Sequence, residues 1–175
     1  MAKITTKIKV RQMKDNDIAP IARLYIRAFS EPPWNERWAI KDVVKDITYA
    51  RSQEHPIMLV AVSGDALVGF TWGYSLRPRD FPFLEGQLSA RSMYVDEIAV
   101  CNEFRKQGLG TLLCTNLISM ARDIGFEEVI LRTDLRNNSS MKLFSSLGFR
   151  ELGVSDPQYS SRIYLRKSLS GLLRE

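Results

Sequence analysis

The sequence predicts an α/β (α+β) protein: a mixed central β-sheet flanked by helices on both faces. Two kinds of segment predict it. Early in the chain, the short, continuously apolar run Ile57-Met58-Leu59-Val60-Ala61-Val62 turns through Ser63-Gly64-Asp65 into Leu67-Val68-Gly69-Phe70-Thr71-Trp72-Gly73-Tyr74, a hairpin whose first strand is covered on both faces. Later strand patterns, at residues 93–100 and 128–133, are separated by a long amphipathic helix. Strands paired first as hairpins and then spaced by helices cannot form a purely antiparallel meander, so the sheet is mixed.

Each element has its own justification. Residues 9–13 form a first strand, and Asp15 is read as the cap of the helix behind it. That helix sets Ile18, Ile21, Ala22, Tyr25 and Phe29 on one face at three- and four-residue spacing. Pro20 falls near its first turn, where a missing N–H is tolerated. Ser30-Glu31-Pro32-Pro33-Trp34 ends it, because the residue before a proline is disfavoured in helical geometry. A second helix over residues 36–50 is expected to bury Trp38, Val43, Val44 and Ile47, and the alternate glycines Gly69 and Gly73 leave room on one face of their strand. Residues 77–87, with Pro78, Pro82 and Gly86, form a loop. Helices over residues 106–124 and 138–147 flank the strand at 128–133, and the stripe Leu109, Leu113, Leu117, Met120, Ile124 reads as core. Strands at 149–152 and 162–165 close the sheet around a loop holding Asp156, Pro157 and Tyr159.

No repeat, linker or low-complexity tract divides the chain, so residues 1–175 read as a single domain; 45% hydrophobic residues suffice for a sizeable core. The start Met1-Ala2-Lys3-Ile4-Thr5-Thr6-Lys7 is basic with no apolar run behind it, so neither signal peptide nor anchor is expected. The longest apolar stretch is far short of the ~20 residues that cross a bilayer, and a cytoplasmic protein without membrane partners is expected. Cys101, Cys114 and His55 are the only cysteines and histidine, too few for a structural zinc site, and no metal is expected. Cys114 lies inside an apolar helix pattern, which argues against a disulfide. Cys101 reads as a small packing residue ahead of a nucleophile, since no Cys-His or Ser-His pair presents itself. A net charge of +5 suits a polyanionic ligand. Nucleic acid is not expected, because 25 Lys and Arg are interspersed with 20 acids instead of forming a basic stripe.

The chemistry concentrates in Val95-Asp96-Glu97-Ile98-Ala99-Val100-Cys101-Asn102-Glu103-Phe104-Arg105-Lys106-Gln107-Gly108-Leu109-Gly110-Thr111-Leu112-Leu113, which reads as a strand, a short loop and the glycine-rich start of a helix. Backbone N–H groups at a helix N-terminus lack intrahelical partners and sit at the positive end of the dipole, so a diphosphate binds there if glycines let it approach. Gly108 and Gly110 supply access, and Arg105 and Lys106 supply charge. The spacing Arg-x-x-Gly-x-Gly is neither Gly-x-Gly-x-x-Gly nor a Walker loop, which disfavours an ordinary dinucleotide or nucleoside-triphosphate fold.

This loop resembles that of the GNAT superfamily of N-acetyltransferases, whose Arg/Gln-x-x-Gly-x-Gly/Ala segment grips the pyrophosphate of acetyl-coenzyme A. A second segment, Asn137-Asn138-Ser139-Ser140-Met141-Lys142-Leu143-Phe144-Ser145-Ser146-Leu147-Gly148-Phe149, is similar to the family's Asn-x-x-Ala-x-x-Leu-Tyr-x-x-x-Gly-Phe helix in the right order and at the right separation. The resemblance covers residues 7–167. It implies the GNAT fold and an acyltransferase that moves the acetyl group from acetyl-coenzyme A, its cosubstrate, to a primary amine by direct attack in a ternary complex.

The resemblance also implies roles. Arg105, Lys106, Gln107, Gly108, Leu109, Gly110 and Thr111 would hold the pyrophosphate, and the backbone of Ile98, Ala99 and Val100 would pair with the pantetheine arm and leave an N–H to polarise the acetyl carbonyl. Asn137 matches a coenzyme-contacting residue, although as a plain helix cap it would look the same, and Asn138 is an alternative cap. Removing a proton from an alkylammonium of pKa near ~10 needs a base or a desolvating site. Glu97 is the favoured base and Asp96 the alternative; a strand bulge would bring both near the substrate, while a simple ion pair with a neighbouring arginine is the plainer reading of either.

One residue departs from the family pattern. Phe144 stands where the family often has a tyrosine that meets the departing sulfur, so Tyr159, Tyr164 or water would have to serve. Turnover can survive the change, because a thiol pKa near ~8.5 makes thiolate a tolerable leaving group. The departure also motivates the alternative of a catalytically inactive coenzyme A-binding sensor. The acceptor is a small-molecule or peptide amine. Trp34, Trp38, Phe81, Phe83, Glu31, Asp80 and Glu85 in the variable segments 31–38 and 77–87 would suit a cationic one, and packing of the two tryptophans against the sheet is the competing reading. A homodimer is left open.

Overall fold

The computed structural model describes residues 7–169. In chain order these form β1 (Ile8–Gln12), α1 (Ile18–Ser30), α2 (Ile40–Ser52), β2 (Ile57–Ser63), β3 (Ala66–Ser75), β4 (Ser92–Val100), α3 (Leu109–Ile124), β5 (Glu128–Asp134), α4 (Asn138–Ser146), β6 (Arg150–Ser155) and β7 (Arg162–Ser168). The basic segment read as neither signal nor anchor lies outside the described residues, except for Lys7. Among the described residues no helix is long and apolar enough to cross a membrane.

The strands make one mixed seven-stranded sheet in the order β1-β2-β3-β4-β5-β7-β6. Every neighbouring pair is antiparallel except β4 and β5, which α3 joins as a crossover. The α3 side of the sheet buries Met93, Val95, Leu113, Leu117, Val129 and Leu131, with Phe144 of α4 in the same cluster. The opposite side buries Ile21, Tyr25, Ile47, Phe70, Trp72 and Ile130 under α1 and α2. At roughly 1.5–3 kcal/mol for each large apolar side chain fully removed from water, Ile21, Tyr25 and Phe29 dock α1 firmly enough to tolerate Pro20 in its first turn.

Several sequence expectations shift. Asp15 does not cap α1; a 3₁₀ turn, Asp15–Asp17, intervenes, and the Asp17 carboxylate accepts the Lys14 N–H at 2.7 Å while pairing with Arg11 at 2.7 Å. The second helix begins at Ile40, four residues later than expected, so Trp38 precedes it and packs edge-on against Tyr25. The loop at 77–87 contains two 3₁₀ turns, and α3 starts at Leu109 because Lys106 and Gly108 both adopt positive φ. Ile124, expected in the core, is 38% exposed, while Cys114, Ile118 and Ala121 are buried beside Leu113 and Leu117. Both cysteines are free.

The two glycines of β3 have different jobs. A Cβ on Gly69 would lie 3.0 Å from Leu113, so this glycine lets α3 settle onto the sheet. At Gly73 a Cβ would lie 2.7 Å from the Tyr94 carbonyl oxygen, backbone that cannot swing aside. Gly73 sits where the β3–β4 register jumps: Trp72 pairs with Glu97 and Gly73 with Val95, which leaves Asp96 as an extra residue in β4. Gly73→Ala is therefore expected to destabilise the fold by about 1–3 kcal/mol, the usual range for forced overpacking, measured by urea denaturation.

Candidate active site

The bulge decides what β4 presents. Before it, side chains alternate: Met93 and Val95 enter the α3-side core and Tyr94 the opposite one. The extra residue resets the phase, so Asp96 and Glu97 fall on the same face, under α1. Trp72 Nε1 donates to Asp96 Oδ2 at 3.2 Å, and the Tyr25 hydroxyl donates to Glu97 Oε1 at 3.0 Å. After the bulge, Ile98 and Val100 pack toward α3 and Ala99 toward α1.

Two adjacent, partly buried carboxyls resist ionising together. Burial, reinforced by the neighbouring Asp96 charge, pushes Glu97 well above the usual carboxylate range, and the Tyr25 hydrogen bond only partly offsets this. Asp96 is raised by burial too, against hydrogen bonds from Trp72 and Tyr74 and the charge of Arg132. The ion-pair reading is not what the structure gives: no arginine or lysine forms a salt bridge with either carboxylate among the described residues.

Beside these carboxyls the sheet opens. β4 pairs with β5 only from Ser92–Glu128 to Val95–Leu131. Beyond that point the Glu97 carbonyl accepts the Thr71 hydroxyl at 2.8 Å and the Cys101 N–H donates to the Val68 carbonyl at 2.8 Å, both toward β3. Backbone alternation then turns Ile98 and Val100, and not Ala99, toward the open edge. The resulting cleft, about 760 Å³ with its mouth, is lined by Trp34, Glu36, Asp96, Glu97, Arg132 and Phe144 among others.

At the far end of β4 the loop delivers the chain into α3. Gly108, at φ +81°, precedes the helix, and no side chain caps it. The first-turn N–H groups of Leu109, Gly110 and Thr111 thus have no intrahelical acceptor. A Cβ on Gly108 would meet nothing within 4 Å, so the space before the helix end is open, as an anion needs. Gly110 serves differently: its Cβ would lie 3.1 Å from Leu143, so it lets α4 approach α3. Arg105 is engaged already, donating through Nε to the Val100 carbonyl at 3.0 Å and pairing with Glu31. Lys106 is exposed, and Gln107 donates to the Glu103 carbonyl.

A family model described as the acetyltransferase (GNAT) family matches residues 19–149. The chain belongs to this family. Human N-acetyltransferase 8 is 32% identical over 130 residues, 72% of this chain but 54% of its own length, so the chain spans about half of that relative. The fold matches yncA of Salmonella typhimurium, solved with its cofactor acetyl-CoA, at a TM-score of 0.73 with 18% identity over 97% of this chain and 98% of that one. It also matches the paiA N-acetyltransferase of Thermoplasma acidophilum in complex with coenzyme A, at a TM-score of 0.70 with 14% identity over 93% and 99%.

In this GNAT chain Asp96, Glu97, Ile98, Asn137 and Phe144 line one cleft. Asn137, not Asn138, caps α4 by accepting the Ser140 N–H at 3.1 Å, which leaves its amide NH2 group for other partners. Buried Asp134 steadies that turn through Arg136 and Ser161. Phe144 is buried and packs on Phe149. Neither tyrosine offered as its substitute lines the cleft: the Tyr164 hydroxyl donates to Asp156 at 2.9 Å, and Tyr159 lies against Arg162. Cys114 is inert, its thiol pushed up to about 12 by burial, and Cys101 is raised by burial and donates to Glu103.

Sequence reasoning missed Arg132, Arg162 and Ser140 as cleft residues and Tyr25 as the partner of Glu97. Tyr25 was visible only as one member of an apolar helix face; nothing in its spacing marks the hydroxyl. The raised Glu97 carboxyl carries a stability consequence. It holds its proton more tightly folded than unfolded, so the stability this contributes is complete below the ordinary value near ~4.3 and lost as pH rises through the raised one. Glu97→Gln is expected to raise Tm at pH 7 relative to the parent, with the difference vanishing near pH 4, measured by thermal denaturation across that range.

Proposed function

We propose that this chain is an acetyl-coenzyme A-dependent N-acetyltransferase, acting as a single cytoplasmic domain, that acetylates a primary amine by direct attack in a ternary complex. The observation that carries the reading is the β4 bulge, which sets two carboxyls without a salt bridge among the described residues beside an open strand edge leading straight to an uncapped, glycine-preceded helix end. Acetyl-coenzyme A supplies an activated thioester. The chain's own groups do the rest. Leu109, Gly110 and Thr111 N–H groups at the α3 end bind the diphosphate with Lys106 and, once released from Glu31, Arg105 adding charge. Ile98 and Val100 offer backbone groups to the pantetheine arm, and an N–H at this edge polarises the acetyl carbonyl. Glu97 takes the proton from the incoming ammonium, its raised pKa bringing it nearer that task than an ordinary carboxylate. Asp96 holds the alternative base position.

Phe144 brings no proton donor to the leaving sulfur, and this favours one second reading, a coenzyme A-binding protein without turnover. Thermal shift with acetyl-coenzyme A followed by thiol release across an amine panel separates the two. Stabilisation with release for at least one amine supports the enzyme, stabilisation without release supports the sensor, and no shift at saturating ligand overturns both.

For the acceptor, Glu31 and Asp80 are already paired with Arg105 and Arg77, and Phe81 and Phe83 pack on Tyr94 and Tyr164. Glu36 is likewise paired with Arg162, so the case for a cationic amine rests on Asp96 and Glu97, with Trp34 beside them at the cleft. A panel of polyamines, aminoglycosides, basic peptides, acidic amino acids and sugar phosphates at equal salt tests it. Preference for an anionic acceptor would point to Arg132 and Arg162, which line the same cleft.

Gly108→Val is expected to weaken acetyl-coenzyme A binding by about tenfold or more, the equivalent of one charge-assisted hydrogen bond at ~1.5–3 kcal/mol, while Arg105→Ala weakens it less. Isothermal titration checks both, and parental affinity in Gly108→Val would refute the diphosphate site.

A further inference from the structure

Transfer of an acetyl group to an ammonium releases one net proton: the nitrogen loses two, the leaving thiolate takes one back as thiol, and the other must reach solvent. Glu97 can accept that proton only once unless it is emptied between turnovers. On the side of Glu97 away from the cleft, hydrogen-bonding groups continue toward α2. Tyr25, 1% exposed, places its hydroxyl 3.0 Å from Glu97 Oε1 and 3.5 Å from Asp46 Oδ2 of α2. Asp46 is partly exposed, so the three groups run from the cleft to the protein surface beneath α2.

Building on the acetyltransferase reading, we propose that Tyr25 and Asp46 form a proton exit from Glu97. The protonated Glu97 carboxyl passes its proton to the Tyr25 oxygen as the Tyr25 hydroxyl proton passes to the Asp46 carboxylate. Glu97 is restored as a carboxylate, Asp46 becomes the acid and releases its proton to water, and the hydroxyl rotates back. Atoms and charge balance at each step. Transfer is concerted because the phenol sits among carboxylates and aromatic rings, where burial and the Glu97 and Asp46 charges push its pKa far up and a free tyrosinate is strongly disfavoured. Burial, with the Asp96 charge behind it, also raises Asp46, which suits a group that must receive a proton.

The surroundings favour this geometry. The Tyr25 ring is stacked on Phe70 and Trp72 at 6.1 and 6.2 Å and contacted edge-on by Trp38 at 5.2 Å, so the hydroxyl is aimed by packing on three sides. The titratable and charged groups around the path are Asp96 and Glu97 from β4, Asp46 with Asp42 from α2, Tyr74 from β3, Glu36 from the segment before α2, and Arg132 from β5. None of the others bonds to both ends of the path. Tyr25 and Asp46 are positioning and relay residues: they act through Glu97.

The experiment measures steady-state acetyl transfer to the best amine of the panel for the parent, Tyr25→Phe, Asp46→Asn and the double variant. Tyr25→Phe keeps the stacked ring and Asp46→Asn lies at the helix surface, so both fold, checked by melting and by the acetyl-coenzyme A shift. Each single variant is expected to lower kcat ~10-fold, less than the ~10²-fold that loss of a general base costs, with both KM values unchanged. The double variant should be no slower than the slower single, because the two act on one path. Small buffers such as imidazole should restore part of the lost rate by carrying the proton themselves. Parental kcat in Asp46→Asn, or losses that add and do not respond to buffer, would overturn the exit. A parent that binds acetyl-coenzyme A but acetylates no amine would overturn the acetyltransferase reading and the exit with it, a result distinct from active variants of an active parent.

Discussion

β4 cannot satisfy both of its neighbours beyond Val95, and the site is built on that failure. Up to that residue it pairs with β3 on one edge and β5 on the other. One extra residue then shifts its phase against β3, and β5 leaves. The same bulge therefore turns two carboxyls onto one face and coincides with the point where an edge of backbone donors and acceptors opens. Gly73 is what admits it, because any side chain there would collide with the Tyr94 carbonyl.

Keeping two carboxyls in this position is costly, and the surrounding structure shows how the cost is limited. Trp72 and Tyr25 each donate to one of them, and both donors are held by the aromatic layer under α1 and α2. Neutral donors stabilise a carboxylate without cancelling its charge, so the pair stays available to a cation and the raised pKa of Glu97 survives. A salt bridge would have quenched both properties. By contrast, the carboxylates that steady turns are paired with arginines: the arginine hydrogen bonds lower Asp17 beside Arg11 and hold Asp134 beside Arg136 well below the usual carboxylate range.

A second coupling links the two ends of the cleft. Arg105 belongs to the loop before α3, yet it pairs with Glu31 at the end of α1 and ties down the Val100 carbonyl. The segment that follows Glu31 carries Trp34 and Glu36 into the cleft, where Arg162 bridges them, 5.6 Å from the Trp34 ring and 3.5 Å from Glu36. The loop before α3 and the cleft wall that carries Trp34 and Glu36 are thus joined through the Arg105–Glu31 pair.

The sequence by itself determined the fold class, the order of nearly every element and two segments that line the candidate cleft, because hydrophobic period, proline, glycine and the two motif segments are local signals. It is least exact where local chemistry offers competing starts, as at the second helix, which begins only at Ile40 because the residues before it set Trp38 edge-on against Tyr25. What it could not determine is which side chains meet. Gly108 and Gly110 look alike in sequence, yet one faces open space and the other a leucine of α4. Tyr25 and Glu97 are 72 residues apart, and their hydrogen bond exists only because α1 packs across the bulged strand. The same holds for Arg132 and Arg162, which reach the cleft through the β5–β7 pairing. Local pattern fixes how a segment folds, whereas long-range register and packing decide which faces confront one another, and the candidate chemistry of this chain depends on the second.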